Sequence, residues 1–246
     1  MKNKNILLSL VVMGALGTTA FAEDPHWGYT GHEGPDAWGS LSPKYKECSE
    51  GKNQSPINVV HSMEANLEPL SLDYKSGSMD IVNNGHTVQV DLSTGNTLTV
   101  DGIVFELKQF HFHTPSENEI EGKVYPLEAH FVHLDKDGNI AVLALMFEEG
   151  EENKEIAKEW AHMPKNAGDK IELKLDGIAK AMLPKNLEYY RFNGSLTTPP
   201  CTEGVRWFVL KTSVTVSKAQ VEQFAAVVHQ HNNRPIQPLN ARMIVK

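Results

Sequence analysis

The run Gln109-Phe110-His111-Phe112-His113 and its echo, Glu128-Ala129-His130-Phe131-Val132, constrain this chain more than any other stretch. Side chains alternate across a β-strand, so Gln109, His111 and His113 share one face of the first run. Glu128, His130 and Val132 likewise share a face of the second. Between them, Glu119-Ile120-Glu121-Gly122-Lys123 is polar and carries a glycine, which predicts the turn of an antiparallel hairpin. Folding about a point near Glu121 sets His130 across from the His111/His113 pair, where cross-strand neighbours lie about 5 Å apart. Three imidazoles so placed can reach one ion. Neutral imidazoles that leave a fourth position open suit zinc best, and the residues alone also admit iron, copper or manganese.

The chain opens on Met1-Lys2-Asn3-Lys4, an apolar run from Ile6 to Leu16, and Ala20-Phe21-Ala22. These are the charged start, short hydrophobic core and small-x-small site of a secretory signal peptide. The apolar run is too short to span a bilayer, which takes about 20 residues. The expectation is a signal peptide at 1–22, cleavage after Ala22, and an exported 23–246 chain, periplasmic or secreted, with no membrane span. The charge balance is acidic, 23 Lys+Arg against 31 Asp+Glu, and loss of Lys2 and Lys4 with the leader makes it more so. An acidic chain without a basic cluster argues against nucleic acid or an anionic membrane as partner. The only cysteines, Cys48 and Cys201, form an even pair in an exported chain and predict one disulfide.

No Pro/Ser-rich linker, low-complexity tract or internal repeat divides 23–246, which favours one domain. From Glu23 to Gly51 the chain is rich in Gly, Pro, Trp and Tyr and reads as an ordered aromatic arm. Pro56, in Gln54-Ser55-Pro56-Ile57, is a candidate cis proline. Asn83-Asn84-Gly85 predicts a turn that launches a strand from His86 to Leu92. Further strands are expected at Thr97–Val100, Ile103–His113, Gly204–Leu210 and Ser213–Val216. The nearly continuous apolar run from Asn139 to Phe147 predicts a central strand buried on both faces. A helix is expected from Glu151 to His162, with Ile156, Ala157 and Trp160 on one side. A second opens on the Ser217/Gln220 capping box, with Val221, Phe224, Ala225 and Val228 as its apolar stripe. The fold class is mostly β, one domain around a large sheet with a few short helices.

Ser195-Leu196-Thr197-Thr198-Pro199-Pro200-Cys201 joins the histidine hairpin, Val82-Asn83-Asn84-Gly85-His86 and Asn232-Asn233-Arg234-Pro235 in one order. On these motifs the chain resembles an α-class carbonic anhydrase of the exported bacterial type, from His26-Trp27-Gly28-Tyr29 to Asn240-Ala241-Arg242. The resemblance implies a mainly antiparallel, twisted central sheet with zinc at the foot of a conical cleft. It also implies reversible hydration of carbon dioxide to bicarbonate through a zinc-bound hydroxide. By position, His111, His113 and His130 match the zinc ligands, and Gln109 and Glu128 match acceptors that orient two of them. Thr197 matches the hydroxyl that accepts the hydroxide proton, and Glu117 the carboxylate that accepts from Thr197. Val132, Val142, Leu196, Val205 and Trp207 match the apolar wall for carbon dioxide, and Thr198 a residue that helps hold bicarbonate. His86 matches the proton shuttle, with Tyr29 and Asn84 ordering the water path to it. His133 points away from His130 and reads as structural. The cysteine pair would tether the loop after Thr197 to the N-terminal part of the chain. Bacterial members resembling this chain are often dimers, so a homodimer is a candidate assembly.

The chain departs from the family's common pattern at Asn118 and from its animal members at Thr114 and Gln89, none of them a ligand. Two rivals are concrete. His111-x-His113-x-x-x-Glu117 followed by Gly122 could pass for the first metal motif of a cupin-type enzyme, with Glu117 as a fourth ligand to iron or manganese. A family member that has lost its metal would be a binding module.

Overall fold

The computed structural model describes residues 25–246 apart from 76, 175, 176 and 230. The signal peptide expected at 1–22 lies outside the described residues. In chain order the strands are β1 (Asn58–Val59), β2 (Ser71–Asp73), β3 (Ser78–Asn83), β4 (Val88–Leu92), β5 (Thr97–Val100) and β6 (Ile103–His113). They continue as β7 (Glu119–Ile120), β8 (Leu127–Leu134), β9 (Ile140–Glu149), β10 (Lys170–Lys174), β11 (Tyr189–Ser195), β12 (Glu203–Leu210) and β13 (Val214–Val216). The α-helices are α1 (Trp38–Leu41), α2 (Glu47–Glu50), α3 (Lys154–Trp160), α4 (Ile178–Ala181) and α5 (Lys218–Val228). Among the described residues, no helix is long and apolar enough to cross a membrane.

Among the described residues, eleven strands form one sheet whose main path is β10-β3-β4-β6-β8-β9-β12-β11, with β5 also on β6, β2 on β5 and β13 on β9. Its ladders are antiparallel except that β12 and β13 run parallel to β9. The sheet is therefore mixed and mainly antiparallel. The apolar run becomes β9, buried on both faces. Ala141, Leu143, Leu145 and Phe147 face the larger core, with Ile156 and Trp160 of α3 and Phe224 and Val228 of α5. Val142, Ala144 and Met146 face the second core, with Ile57, Val59, Trp207 and Val209.

The long strand β6 does not keep one alternation along its length. Phe105 and Leu107 lie in the larger core, but so do Phe110 and Phe112. The pairing with β8 explains the switch, because Leu107 is opposite His133 while Gln109 is opposite Val132, leaving Lys108 as an extra residue. This β-bulge reverses the faces, as bulges do when they re-aim side chains beside a site. Without it, Gln109, His111 and His113 would share the face of Phe105 and Leu107. With it they face the opposite side of the sheet. The predicted hairpin turn closes at Glu121 and Gly122, both at positive φ (51° and 76°), between the paired residues Ile120 and Lys123.

Two elements begin two and three residues later than expected, each because a side chain caps the backbone. The strand expected from His86 begins at Val88, since Asn84 Oδ1 accepts from the His86 and Thr87 N–H groups (both 2.9 Å). The helix expected from Glu151 begins at Lys154, since Asn153 Oδ1 accepts from the Glu155 and Ile156 N–H groups. The Ser217/Gln220 capping box is present. Gln220 also exchanges hydrogen bonds with the Asn153 backbone, joining the two helix starts.

Glu159 in α3 is fully buried, and neither carboxylate oxygen has a hydrogen-bond partner. Burial pushes its carboxyl up to about 8 from an ordinary 4.5. Between these values the unfolded chain releases a proton that the folded chain keeps, so stability falls as pH rises through that window. Each pH unit costs about 1.4 kcal/mol, several kcal/mol in all. Glu159→Gln, which cannot ionise, is expected to exceed the parent in stability by a few kcal/mol at about pH 9 and to match it at about pH 5. Urea unfolding at the two pH values measures the difference, and a pH-independent gap would refute the assignment.

Candidate metal centre

His111 and His130 are direct partners across the β6–β8 ladder, and His113 follows on the same face of β6. The three ring centroids stand 5.0, 5.4 and 4.6 Å apart, and one nitrogen of each lies within 4.8 Å of the others. The remaining nitrogen of each ring meets an acceptor. His111 Nδ1 donates to Gln109 Oε1 (2.8 Å), His113 Nδ1 to the Asn232 carbonyl (2.7 Å) and His130 Nε2 to Glu128 Oε1 (2.8 Å). Partners that can only accept place the ring proton on the nitrogen they face. His111 Nε2, His113 Nε2 and His130 Nδ1 are thereby left as lone pairs directed at a common space.

Burial, then the neighbouring His113 and His130, holds His111 well below the usual imidazole range. Burial also lowers His113, against the Asn232 carbonyl and Glu128. His113 Nε2 is buried without a hydrogen-bond partner, as is Glu117 Oε2 at 3.4 Å from it. Buried polar atoms are seldom left unpaired. A cation among three neutral imidazoles would take up the His113 Nε2 lone pair, and the all-nitrogen donor set with space for a fourth ligand fits zinc.

Glu128 is fixed on all sides. Its Oε2 accepts from the Glu117 and Asn118 N–H groups (2.7 and 2.9 Å) and its Oε1 from Asn118 Nδ2 (2.8 Å). Burial alone would raise its pKa, but His130 and the Asn118 donors outweigh it and the carboxyl is lowered. Asn118, a departure from the family's common pattern, thus braces the acceptor of a ligand. Glu117 is 1% exposed, and its Oε1 accepts the Arg234 N–H (2.8 Å). Burial pushes Glu117 up to about 7, opposed by His130, by that N–H and by the Thr197 hydroxyl beside it.

The expected apolar wall falls on the metal face. Val132 is opposite Gln109 on one side and Val142 on the other, and Val142 is opposite Trp207. Val142, Val205 and Trp207 are buried, while Val132 and Leu196 are half-buried against the same cluster and carry the wall to the surface. Trp207 stands edge-on to His130 at 4.9 Å and donates its Nε1–H to the Ser195 carbonyl (3.1 Å). Gly194 permits that contact, since a Cβ there would sit 2.1 Å from Ser55 Oγ and 3.0 Å from Trp207. Thr197 is buried, Thr198 is half-buried, and the Cys48–Cys201 disulfide closes the loop behind them.

His86 stacks on Trp27 (3.7 Å between centroids, 7° between planes), with His26 6.0 Å away. Burial, then His26, lowers its pKa. Asn84 spends its amide oxygen on the turn below His86. Tyr29 has its pKa raised well above the ordinary phenol value by burial and by Glu117. His133 points to the other core, where Tyr74 Oη approaches its Nε2 at 2.6 Å. Sequence reading missed the acceptor for His113, because a main-chain carbonyl has no residue signature, and the Arg234 N–H that meets Glu117. The Asn232-Asn233-Arg234-Pro235 motif was the signal that contained both.

The family model described as eukaryotic-type carbonic anhydrase matches residues 33–246. A carbonic anhydrase of Pectobacterium carotovorum is 51% identical over 97% of this chain and 98% of its own. An α-carbonic anhydrase of Thermovibrio ammonificans, solved with the inhibitor sulfanilamide, superposes with a TM-score of 0.87 at 52% identity, over 90% of this chain and 99% of its own. That of Photobacterium profundum gives 0.85 at 53%, over 90% and 100%. With this coverage, and three imidazoles converging where the sequence places them, the chain belongs to the α-class, or eukaryotic-type, carbonic anhydrase family.

Proposed function

We propose that this chain catalyses the reversible hydration of carbon dioxide to bicarbonate and a proton. The observation that carries this reading is the trio of tautomer-fixed imidazoles whose free nitrogens face one space beside the unpartnered Glu117 Oε2. Zinc held by them supplies the charge that acidifies a water, an effect for which carbonic anhydrase is itself the standard example. Around it, Val132 and Leu196, backed by Val142, Val205 and Trp207, offer carbon dioxide an apolar surface within reach of the nucleophile. Thr197, with its hydroxyl committed toward Glu117, keeps its lone pairs for the attacking water and so orients it. Thr198 offers a polar contact for bicarbonate. Family membership displaces the cupin-type reading.

Stopped-flow hydration with protein stripped by a chelator and then restored with zinc tests the function. Activity should vanish and return. Zinc-replete protein that hydrates carbon dioxide no faster than buffer would favour the binding-module reading.

His86 is the proposed proton acceptor, with Tyr29 and Asn84 lining the path to it. Its unperturbed pKa of about 6.5 suits exchange near neutrality. His86→Ala is expected to lower kcat in dilute buffer by about tenfold or more while sparing kcat/KM, because carbon dioxide is consumed before the proton leaves. Added imidazole should restore much of the loss, and an unchanged kcat in weak buffer would remove His86 from the mechanism.

Export, with cleavage after Ala22, is the proposed route to the compartment in which the disulfide forms. The proposed homodimer rests on the family resemblance alone, and sedimentation velocity reads it.

A further inference from the structure

Behind the site, one buried cation joins parts of the chain that the reaction needs in register. Arg234 is 2% exposed. Its Nη1 donates to Gln54 Oε1 (2.9 Å) and the Ser55 carbonyl (2.8 Å), and its Nη2 to the Cys48 carbonyl (2.8 Å). The guanidinium also lies over the Trp38 ring at 5.6 Å. Gln54 in turn donates to the Cys201 carbonyl (3.0 Å). The side chain of Arg234 is thus fixed to both halves of the disulfide-closed loop. Its backbone N–H, at the other end of the same residue, donates to Glu117 Oε1 (2.8 Å). Two residues earlier the Asn232 carbonyl holds His113.

The chemistry of these partners is unusual for a residue whose only task is to stabilise a core. A buried charge is costly unless it is paired, yet the hydrogen-bond acceptors of this guanidinium are two carbonyls and an amide oxygen. The charge of the Glu117 carboxyl favours the guanidinium against its burial, yet the bond to Glu117 is made by the backbone.

We infer that Arg234 is a positioning residue for the hydration reaction. Anchored at the disulfide, it holds its N–H on Glu117 Oε1 and so fixes the rotation of that carboxylate. Oε2 is then left facing His113 Nε2 at 3.4 Å and His130 Nδ1 at 3.9 Å. Arg234 thereby transmits the set of the Cys48–Cys201 bridge to the group that orients Thr197. A carboxylate free to turn would offer either oxygen to Thr197, and misplacement of about 1 Å at a reacting centre can cost about a hundredfold in rate.

This inference rests on the proposed hydration activity, so the parent enzyme is assayed first. An inactive zinc-loaded parent would sink that reading and this one with it. With an active parent, Arg234→Gln is expected to lower kcat/KM per bound zinc by about tenfold or more, with zinc affinity, measured by chelator competition, within about threefold of the parent. In dilute buffer kcat should fall less, because proton release through His86 limits it. Arg234→Lys, which keeps one donor and the charge, should recover part of the loss. Gln54→Leu, which removes one anchor and leaves Arg234 in place, should show the same pattern more weakly, and it decides the matter alone if Arg234→Gln does not fold. A purely structural arginine would lower kcat, kcat/KM and zinc content together. That parallel loss, or a kcat/KM per zinc within twofold of the parent in the folded variants, would overturn the inference.

Discussion

His113→Ala will leave a folded protein that holds zinc weakly and hydrates carbon dioxide barely faster than buffer. The variant removes one of three converging nitrogens and strands the Asn232 carbonyl, which accepts from His113 Nδ1. Two imidazoles on neighbouring strands cannot close the remaining coordination, so the ion exchanges with solvent. Loss of an outer partner of a ligand typically costs about 10–100-fold in metal affinity. Loss of the ligand itself should exceed that range, with activity falling in proportion. Gln109→Ala is the internal comparison: it keeps the His111 ring but frees its orientation, and should stay within the 10–100-fold range. Chelator competition gives the affinities and stopped-flow hydration the rates. If His111→Ala, His113→Ala and His130→Ala all retained stoichiometric zinc, the centre would have been placed wrongly.

Reduction of the Cys48–Cys201 bridge is expected to cost about 5 kcal/mol of stability, the chain-entropy value for so long a loop. The two cysteines are 153 residues apart in sequence, so the open chain regains most of the freedom that the bridge removed from its unfolded state. The native contacts should feel the change too. Cys201 donates its N–H to the Thr198 carbonyl (2.8 Å), and its own carbonyl takes the Gln54 amide. The loop carrying Thr197 and Thr198 therefore loses its covalent anchor but keeps these hydrogen bonds, and activity should decline less than stability. Guanidinium unfolding with and without reductant, alongside a thiol titration proving that the bond has opened, measures the first effect. A transition midpoint that does not move after complete reduction would rule out the bridge as a stabilising element.

Much of the fold was legible because it depends on residues close in the chain. Alternation marked β6 and β8, and the polar segment with Gly122 marked the turn between them. Unbroken apolarity marked β9, and Ser217 with Gln220 marked the start of α5. Errors came where a side chain captured the backbone, at Asn84 and Asn153, since a cap shortens an element without altering its periodicity. The strands β1, β2, β3, β10 and β11 were not read at all, and β7 was taken as part of the turn. In β10 most residues are exposed and charged, a common dress for an edge strand and one that resembles a loop.

The site divides in the same way. The sequence by itself determined that three histidines lie two residues apart or across a hairpin, and that Gln109 and Glu128 stand two residues from a ligand on the same face. These relations are set by the period of a strand. Only the tertiary structure decided which way the histidines face, because the extra residue Lys108 reverses the pleat of β6 and is recognised only against its partner β8. It also decided that His113 is held by a backbone carbonyl 119 residues away. Arg234 ties Cys48 to Glu117 across separations that no local pattern encodes. Such contacts are made when a sheet brings distant strands into register, and their energy depends on burial that exists only in the assembled fold.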